Sequence, residues 1–238
     1  MTQEGQREQG QKVEGQTEVS QSGAVAQRRR GIRLTVTAIL VVATILVAGF
    51  FYAFTRARVM TTDELRQQGA YLYENPRMLP NFELIDDNAK ALDPTDLQGQ
   101  WNLIFFGFTY CPDICPTTLA QLKTFYSELD PEVQKDTQVW LASVDPARDT
   151  PKQLHSYLEF FHPSFRGMTG EFLEMHRFAT ALNIPFAKVP GGGDDYLVDH
   201  SANVALVNPK GHSVGFFKAP LEITKLKRTY LAIRQHFE

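Results

Sequence analysis

The pattern of apolar and polar positions divides the chain into three parts. Residues 1–27 are rich in Gln, Glu and Gly and have almost no large apolar side chains, so they cannot bury enough surface to offset the entropy of ordering. Residues 34–54 form an uncharged apolar run, and the rest of the chain alternates short apolar runs with helical periodicity. We therefore predict a disordered cytoplasmic tail over residues 1–30, a transmembrane anchor over 31–56 and a folded domain beyond them.

The apolar run has the length of a membrane-spanning helix, since about 20 helical residues cross a hydrocarbon core. A cleaved signal peptide and a buried core helix are the alternatives, but the run is long for the first and apolar on all faces, unlike the second. Arginines flank it unequally, with four before the run and two after it: Arg28, Arg29, Arg30, Arg33, Arg56 and Arg58. The positive-inside rule then predicts a cytoplasmic N-terminus and an exported C-terminal domain.

The acidic residues of the tail bear on the compartment, because mitochondrial presequences are Arg-rich and poor in acids. The predicted location is therefore a bacterial inner membrane, crossed once, with the C-terminal domain in the periplasm. The formal net charge is −3, and Lys and Arg do not gather on a face interleaved with aromatic residues. Nucleic acid is therefore not an expected partner.

Beyond a polar linker over residues 57–78, periodicity predicts one domain over residues 79–238. The predicted strands lie in FELIDDNAKAL, which turns at residues 86–88, in WNLIFFGF, in TQVWLASV, and in SANVALVNPKGHSVGFF, which turns at NPKG. The predicted helices follow Cys115, follow an N-cap at Thr150, and cover residues 172–182 and 223–237. This order is typical of an α/β, thioredoxin-like domain, a mixed sheet with helices on both faces, here behind a single N-terminal transmembrane helix.

The segment FGFTYCPDICPTTL holds Cys111 and Cys115, the only 2 cysteines of the chain. A structural disulfide is the ordinary use of a cysteine pair in an exported domain. A bridge across three intervening residues closes a short loop, however, and stabilises little. The pair lies where the first core strand runs into the first long helix, and a helix N-terminus is expected to lower thiol pKa values.

Two kinds of chemistry suit this pair. Reversible disulfide formation is open to two thiols this close, and two thiolates on one rigid element suit Cu(I). Structural zinc is disfavoured because it requires four protein ligands. A third ligand could be His200, which follows the Gly-rich stretch at residues 191–195 and precedes a late strand near the active-site end of the first helix. The other histidines are expected to be surface or partly buried residues: His155, His162, His176, His212 and His236.

Three separated motifs, FGFTYCPDICPTTL, SVDPARDTPKQL and DYLVDHSANVALVNPKG, closely resemble the Sco (SenC) family of copper-handling proteins. The resemblance covers the chain from about Leu79 to the C-terminus. It implies a thioredoxin-like fold and copper bound by Cys111, Cys115 and His200. It also implies a role in assembling the CuA centre of cytochrome c oxidase subunit II, as copper donor, as reductant of that subunit's cysteines, or both. Other copper chaperones or thiol reductases would be further partners.

The sequence departs from the family at two positions and leaves one carboxylate open to interpretation. Tyr110 stands where relatives often have His, and Asn88 stands where a turn Gly is usual, which is tolerable because Asn accepts left-handed backbone angles. Asp145 either orients a ligand or assists proton transfer, or it serves a turn with Arg148 and Asp149 as local salt-bridge partners.

The sequence thus predicts a membrane-anchored copper metallochaperone that binds Cu(I), and also Cu(II), through two thiolates and one imidazole. Binding should require both thiols reduced, because a Cys111–Cys115 disulfide would release the metal. The alternative is a thiol–disulfide oxidoreductase in which the two cysteines are the catalytic redox pair and copper binding is secondary. Peroxide reduction is a third hypothesis, suggested by "FT" shortly before a cysteine.

Overall fold

The computed structural model describes residues 35–52, 60–191, 193 and 195–237. The predicted tail over residues 1–30 lies outside the described residues, as do both ends of the predicted anchor. The chain divides into two units, Met1–Arg58 and Val59–Glu238. In the first unit, helix α1 (Thr35–Tyr52) has a mean hydropathy of 2.3 and no buried positions. It is long and apolar enough to span a bilayer, a property it shares with signal sequences.

The second unit contains the predicted alternation of strands and helices. Its strands are β1 (Ala70–Met78), β2 (Leu84–Asp86), β3 (Ala91–Leu92), β4 (Trp101–Gly107), β5 (Thr137–Ser143), β6 (Arg166–Thr169), β7 (Phe186–Lys188), β8 (Val198–His200), β9 (Val204–Val207) and β10 (His212–Phe217). Its helices are α2 (Thr62–Gln67), α3 (Ile114–Ser127), α4 (Pro131–Lys135), α5 (Pro151–Phe161), α6 (Phe172–Ala181) and α7 (Ile223–Phe237), with a 3-10 turn at Pro94–Leu97.

Eight strands form one mixed sheet in the order β1-β10-β9-β4-β5-β6-β2-β3, and β7 and β8 form a separate hairpin. Strand β4 pairs in parallel with β5 and antiparallel with β9, and all seven of its residues are buried. This confirms the predicted mixed sheet with β4 as a central strand. A continuous apolar run suits that place because both faces of the strand are covered.

Neighbouring residues of β4 show which helices cover each face. A Cβ added at Gly107 would lie 2.8 Å from the Sγ of Cys115 in α3, whereas Phe106 packs against Phe178 of α6 with ring centroids 5.8 Å apart. Successive residues of a strand point to opposite faces, so α3 and α6 lie on opposite faces. The chain passes from β4 to β5 to β6 through α3 and α5, then returns through α6 to β9. The carboxyl end of β4 is therefore a switch point, where sites commonly form in such sheets.

The sheet begins earlier in the chain than the sequence predicted. Strand β1 pairs antiparallel with β10, from Ala70 opposite Phe217 onward, and the rings of Tyr71 and Phe216 stack 5.1 Å apart. The predicted linker over residues 57–78 is therefore wrong for residues 70–78. That segment reads as polar because β1 is an edge strand whose second half is exposed.

Local signals at helix and turn boundaries are largely confirmed. Thr150 caps α5, with its side chain accepting a hydrogen bond from the Gln153 backbone N–H at 3.2 Å. In the turn after β2, the Asp86 carboxylate accepts the Asn88 backbone N–H at 2.8 Å. The left-handed residue of that turn is Ala89, with φ 61°, and not Asn88. The expectation for Asn88 was wrong by one position.

Candidate metal centre

Both cysteines are free thiols, one just before α3 and one in its first turn. Cys111 lies in the preceding turn, where its N–H donates to the Phe108 carbonyl at 3.2 Å, and it is partly exposed. Cys115 is the second residue of α3 and is fully buried. Gly107 leaves the space for its sulfur, since any side chain there would start 2.8 Å from it.

The structure places His200 beside the cysteines. Its Nε2 lies 3.5 Å from the Cys115 Sγ, and its Nδ1 lies 3.2 Å from the Ser201 carbonyl oxygen. When Nδ1 carries the proton and donates it to that carbonyl, Nε2 keeps a lone pair directed toward the sulfurs. The imidazole also meets Phe105 and Phe108 edge to face, each at 6.0 Å between centroids.

The backbone around His200 differs from the sequence prediction. His200 is itself the last residue of a strand, β8, opposite Phe186 of β7, rather than a residue that precedes a strand. The following strand, β9, begins only at Val204. A hairpin therefore presents the imidazole, so its position depends on how that hairpin is held.

The two Sγ atoms and one imidazole nitrogen lie within 4.8 Å of one another. Across the described parts of the chain, this is the only group of three or more His, Cys, Asp or Glu side chains spaced to hold a metal ion. The structure thus brings together all three residues predicted from the sequence. Two soft sulfurs and one imidazole suit copper, and the set is one ligand short of a structural zinc site.

Burial governs the titration of two of these groups. Burial raises the pKa of the Cys115 thiol far above its usual range, and the nearby Cys111 and Asp149 raise it further, against a hydrogen bond with the Phe108 backbone. The predicted lowering of the thiol pKa by the helix N-terminus is therefore wrong for Cys115. Burial also lowers the pKa of His200, so its imidazole is neutral near pH 7 and free to bind a metal.

Asp149 is a residue whose role the sequence reasoning missed. It is fully buried, and its carboxylate accepts hydrogen bonds from the Thr109 hydroxyl at 2.6 Å, the Thr109 backbone N–H at 3.2 Å and the Ser143 hydroxyl at 2.7 Å. It therefore ties the cysteine loop to the end of β5. Burial raises the pKa of this carboxyl, and these hydrogen bonds oppose the rise. A carboxylate shortly after a buried strand, at the sheet edge that carries the cysteines, was the available signal.

Asp145 forms the local salt bridge with Arg148 that its interpretation as a turn residue predicts. Its carboxylate pairs with the Arg148 Nε and also accepts the Tyr196 hydroxyl at 2.5 Å. Among the described residues, Asp145 makes no hydrogen bond to either cysteine or to His200. Its side chain instead contacts Arg148 and Tyr196.

Comparison with known proteins identifies the family. The SCO1/SenC family model matches residues 72–232. A protein of Stutzerimonas stutzeri, named as copper-binding, is 41% identical over 164 residues, which cover 69% of this chain and 80% of that protein. The SCO2-like protein of Rickettsia felis is 33% identical over 190 residues, covering 78% of this chain and 92% of that protein.

Solved structures agree with this assignment. Arabidopsis thaliana ScoI with copper bound is 34% identical, with a TM-score of 0.62 over 66% of this chain and 99% of that one. Yeast Sco1 with copper bound is 32% identical, with a TM-score of 0.62 over 67% of this chain and 90% of that one. The fold is thus the thioredoxin-like fold of these neighbours. The chain belongs to the SCO1/SenC family.

Proposed function

We propose that this protein is a membrane-anchored copper chaperone that binds one copper ion through the sulfurs of Cys111 and Cys115 and the Nε2 of His200. The observation that carries the proposal is the convergence of these three donor atoms within 4.8 Å. The three donors come from two segments far apart in the sequence. A simple disulfide between the two cysteines would not require the second segment, which carries His200. Copper as the metal is supported by the named Stutzerimonas relative and by the copper-bound Arabidopsis and yeast structures.

The donor set fits the handling of copper rather than its permanent storage. Thiolates favour Cu(I), while an imidazole also serves Cu(II), so both oxidation states have ligands here. Cys111 is partly exposed, so an acceptor protein can reach the metal through that sulfur. Oxidation of the two thiols to a disulfide would remove two of the three ligands. Binding therefore requires the reduced protein.

The client that we propose is the CuA domain of cytochrome c oxidase subunit II, as the family resemblance implies. Helix α1 would anchor the protein in a bacterial inner membrane, with the N-terminus in the cytoplasm and the copper domain in the periplasm. The unequal arginine flanks of α1 support this orientation. An anchor would confine donor and client to the same membrane.

A thiol–disulfide oxidoreductase is the second candidate function. The unequal exposure of the cysteines favours it, since a partly exposed Cys111 could attack a client disulfide and the buried Cys115 could resolve the mixed disulfide. His200 is the argument against it. A dithiol reductase does not need an imidazole held 3.5 Å from its resolving sulfur.

A transfer experiment separates the two functions. The full-length protein in detergent, loaded anaerobically with Cu(I), is mixed with a metal-free CuA domain whose two cysteines are reduced, and copper is measured on each protein after separation. We expect copper to move to the CuA domain while both donor thiols stay reduced. In parallel, metal-free reduced protein is mixed with the disulfide form of the domain.

The variant His200→Ala serves as the discriminating control. A chaperone binds copper more weakly and transfers less of it in this variant, while any thiol exchange by Cys111 and Cys115 persists. Rapid reduction of the client disulfide, with no transfer of copper by the wild-type protein, would contradict the chaperone function and support the reductase function.

A further inference from the structure

Arg148 joins two segments that carry the metal ligands. Its Nη2 donates a hydrogen bond to the Tyr196 carbonyl at 2.8 Å, and its Nε pairs with the Asp145 carboxylate. The Tyr196 hydroxyl closes the ring by donating to the same carboxylate at 2.5 Å. The Asp145 side chain is only 3% exposed and that of Arg148 19%, so these bonds are largely shielded from water.

Aromatic rings extend this link to both sides of the metal centre. The Arg148 guanidinium carbon lies 3.8 Å from the ring centroid of Tyr196 and 5.0 Å from that of Tyr110. Tyr110 directly precedes Cys111, and Tyr196 lies four residues before His200. A planar cation therefore contacts one ring from the cysteine loop and one from the histidine segment.

The histidine segment is held by side-chain packing and hydrogen bonds, including the packing of the buried Phe186 and Val198. The β7–β8 hairpin is separate from the eight-stranded sheet, so the ladder of that sheet does not fix β8. Phe186 packs against Phe172 with centroids 5.8 Å apart, which supports β7. The hydrogen bond of Arg148 to Tyr196 supports the strand that ends at His200.

We propose that Arg148 is a positioning residue for the copper site. Together with Asp145 and Tyr196 it forms the Arg148 latch, which holds the β7–β8 hairpin so that the His200 Nε2 faces the two sulfurs. The inference rests on the proposed copper site and adds a residue that binds no metal. Because the latch acts through His200, Arg148 should matter for copper affinity only when His200 is present.

A double-mutant cycle tests this dependence. Cu(I) affinity is measured by chelator competition on the reduced full-length protein for the wild type, Arg148→Gln, His200→Ala and the double variant. We expect Arg148→Gln to weaken binding about 10- to 100-fold, the usual effect of losing an outer partner of a ligand. The double variant should bind no more weakly than His200→Ala alone. Equal losses from Arg148→Gln with and without His200 would overturn the proposal.

Arg166 provides a matched control. Like Arg148 it is ion-paired, here with Asp86 and Asp87, and it lies over an aromatic ring, that of Trp140, at 5.8 Å. It belongs to β6, and these contacts include neither ligand segment. Arg166→Gln should therefore leave Cu(I) affinity within about twofold of the wild type, since distant sites act independently. A loss equal to that of Arg148→Gln would show that the effect is general destabilisation and would contradict the latch.

Hydrogen exchange of the metal-free protein tests the latch without copper. Arg148→Gln should speed amide exchange in β7 and β8 by about tenfold or more, while β4 remains protected as in the wild type. Unchanged exchange in β7 and β8 would overturn the latch even if the protein binds copper. Faster exchange, in a protein whose copper affinity does not depend on His200, would support the latch and contradict the proposed copper site.

Discussion

At the scale of single residues, Gly107 determines whether the Cys115 sulfur fits. A Cβ at this position would lie 2.8 Å from that Sγ and 3.0 Å from the Phe105 ring. Gly107→Ala should therefore cost about 1–3 kcal/mol of stability from overpacking and should also weaken Cu(I) binding by displacing a ligand. Denaturant unfolding and chelator competition measure the two effects.

The control for this prediction is Gly167→Ala. Its added Cβ would lie 3.0 Å from the Leu154 Cβ, also in a buried position of the sheet but against α5 instead of a ligand. It should lose a similar amount of stability, about 1–3 kcal/mol, and keep the copper affinity. If Gly107→Ala binds copper as well as Gly167→Ala does, Gly107 has no role in shaping the site.

The raised pKa of Cys115 predicts how copper affinity depends on pH. Burial keeps this thiol protonated at neutral pH, so forming a copper–thiolate bond must release its proton. His200 has a lowered pKa and is already neutral, so it releases none. Cu(I) affinity should therefore rise at least about tenfold per pH unit between about pH 6.5 and pH 8. An affinity that stays constant over that range would mean that Cys115 is already a thiolate.

The sequence predicted which residues come together at the candidate site better than it predicted their environment. Cys111, Cys115 and His200 follow from motifs, because spacing and residue type are visible in a sequence. The pKa of Cys115 does not, since it depends on how deeply the first turn of α3 is buried. Asp149 was missed for the same reason, because its bonds to Thr109 and Ser143 form only when β5 lies beside β4.

At the scale of elements, strand β1 depends on a close approach to β10. A Cβ at Gly215 would lie 2.0 Å from the Tyr71 carbonyl oxygen, which is backbone and cannot move aside cheaply. Gly215→Ala should therefore separate the two strands locally and destabilise the fold by about 1–3 kcal/mol or more. Thermal unfolding measures the loss, and exchange of the β1 amides shows where it arises.

Ser213 supplies the matched control in the same strand. Its hydroxyl is buried and has no hydrogen-bond partner among the described residues, so Ser213→Ala should change stability by less than about 1 kcal/mol. A loss from Ser213→Ala equal to that from Gly215→Ala would attribute the effect to β10 in general and not to its contact with β1.

Periodicity predicted the four longer helices of the domain, α3, α5, α6 and α7, and the central strands, because burial on one or both faces of an element produces a regular pattern of apolar residues. It failed for β1, whose exposed second half carries the polar pattern of a linker. It also failed for β8, a strand of three residues beside a Gly-rich turn, too short to show a period. The position of His200 on a hairpin could therefore be seen only in the structure.

At the scale of the whole molecule, the proposed orientation is testable with the native cysteines, since the chain contains only 2. A membrane-impermeant maleimide should label Cys111 in intact spheroplasts, because this thiol is partly exposed in a domain that we place in the periplasm. Labelling is read by a mass shift of the isolated protein. The double variant Cys111→Ser and Cys115→Ser gives the background labelling. Labelling of the wild type only after permeabilisation would indicate the opposite orientation.

Family membership could be predicted from three separated motifs, and the mixed sheet from the order of the predicted strands and helices. The Arg148 latch could not be predicted from the sequence. Its hydrogen bond to Tyr196 joins residues 48 positions apart, and no sequence motif indicates that they are in contact. The sequence was sufficient to predict the candidate copper-binding residues, whereas the contacts that hold the His200 imidazole in place could be identified only from the fold.

The most direct test of the central claim is an anaerobic titration of Cu(I), against a competing chelator, into the reduced full-length protein and its variant His200→Ala. The account predicts one tightly bound copper ion per wild-type chain, and an affinity at least about tenfold lower without the imidazole. His162→Ala, which removes a ring packed against Tyr126 instead, should bind as the wild type does. Equal affinities of the wild type and His200→Ala would remove His200 from the site and leave the two cysteines as a redox pair.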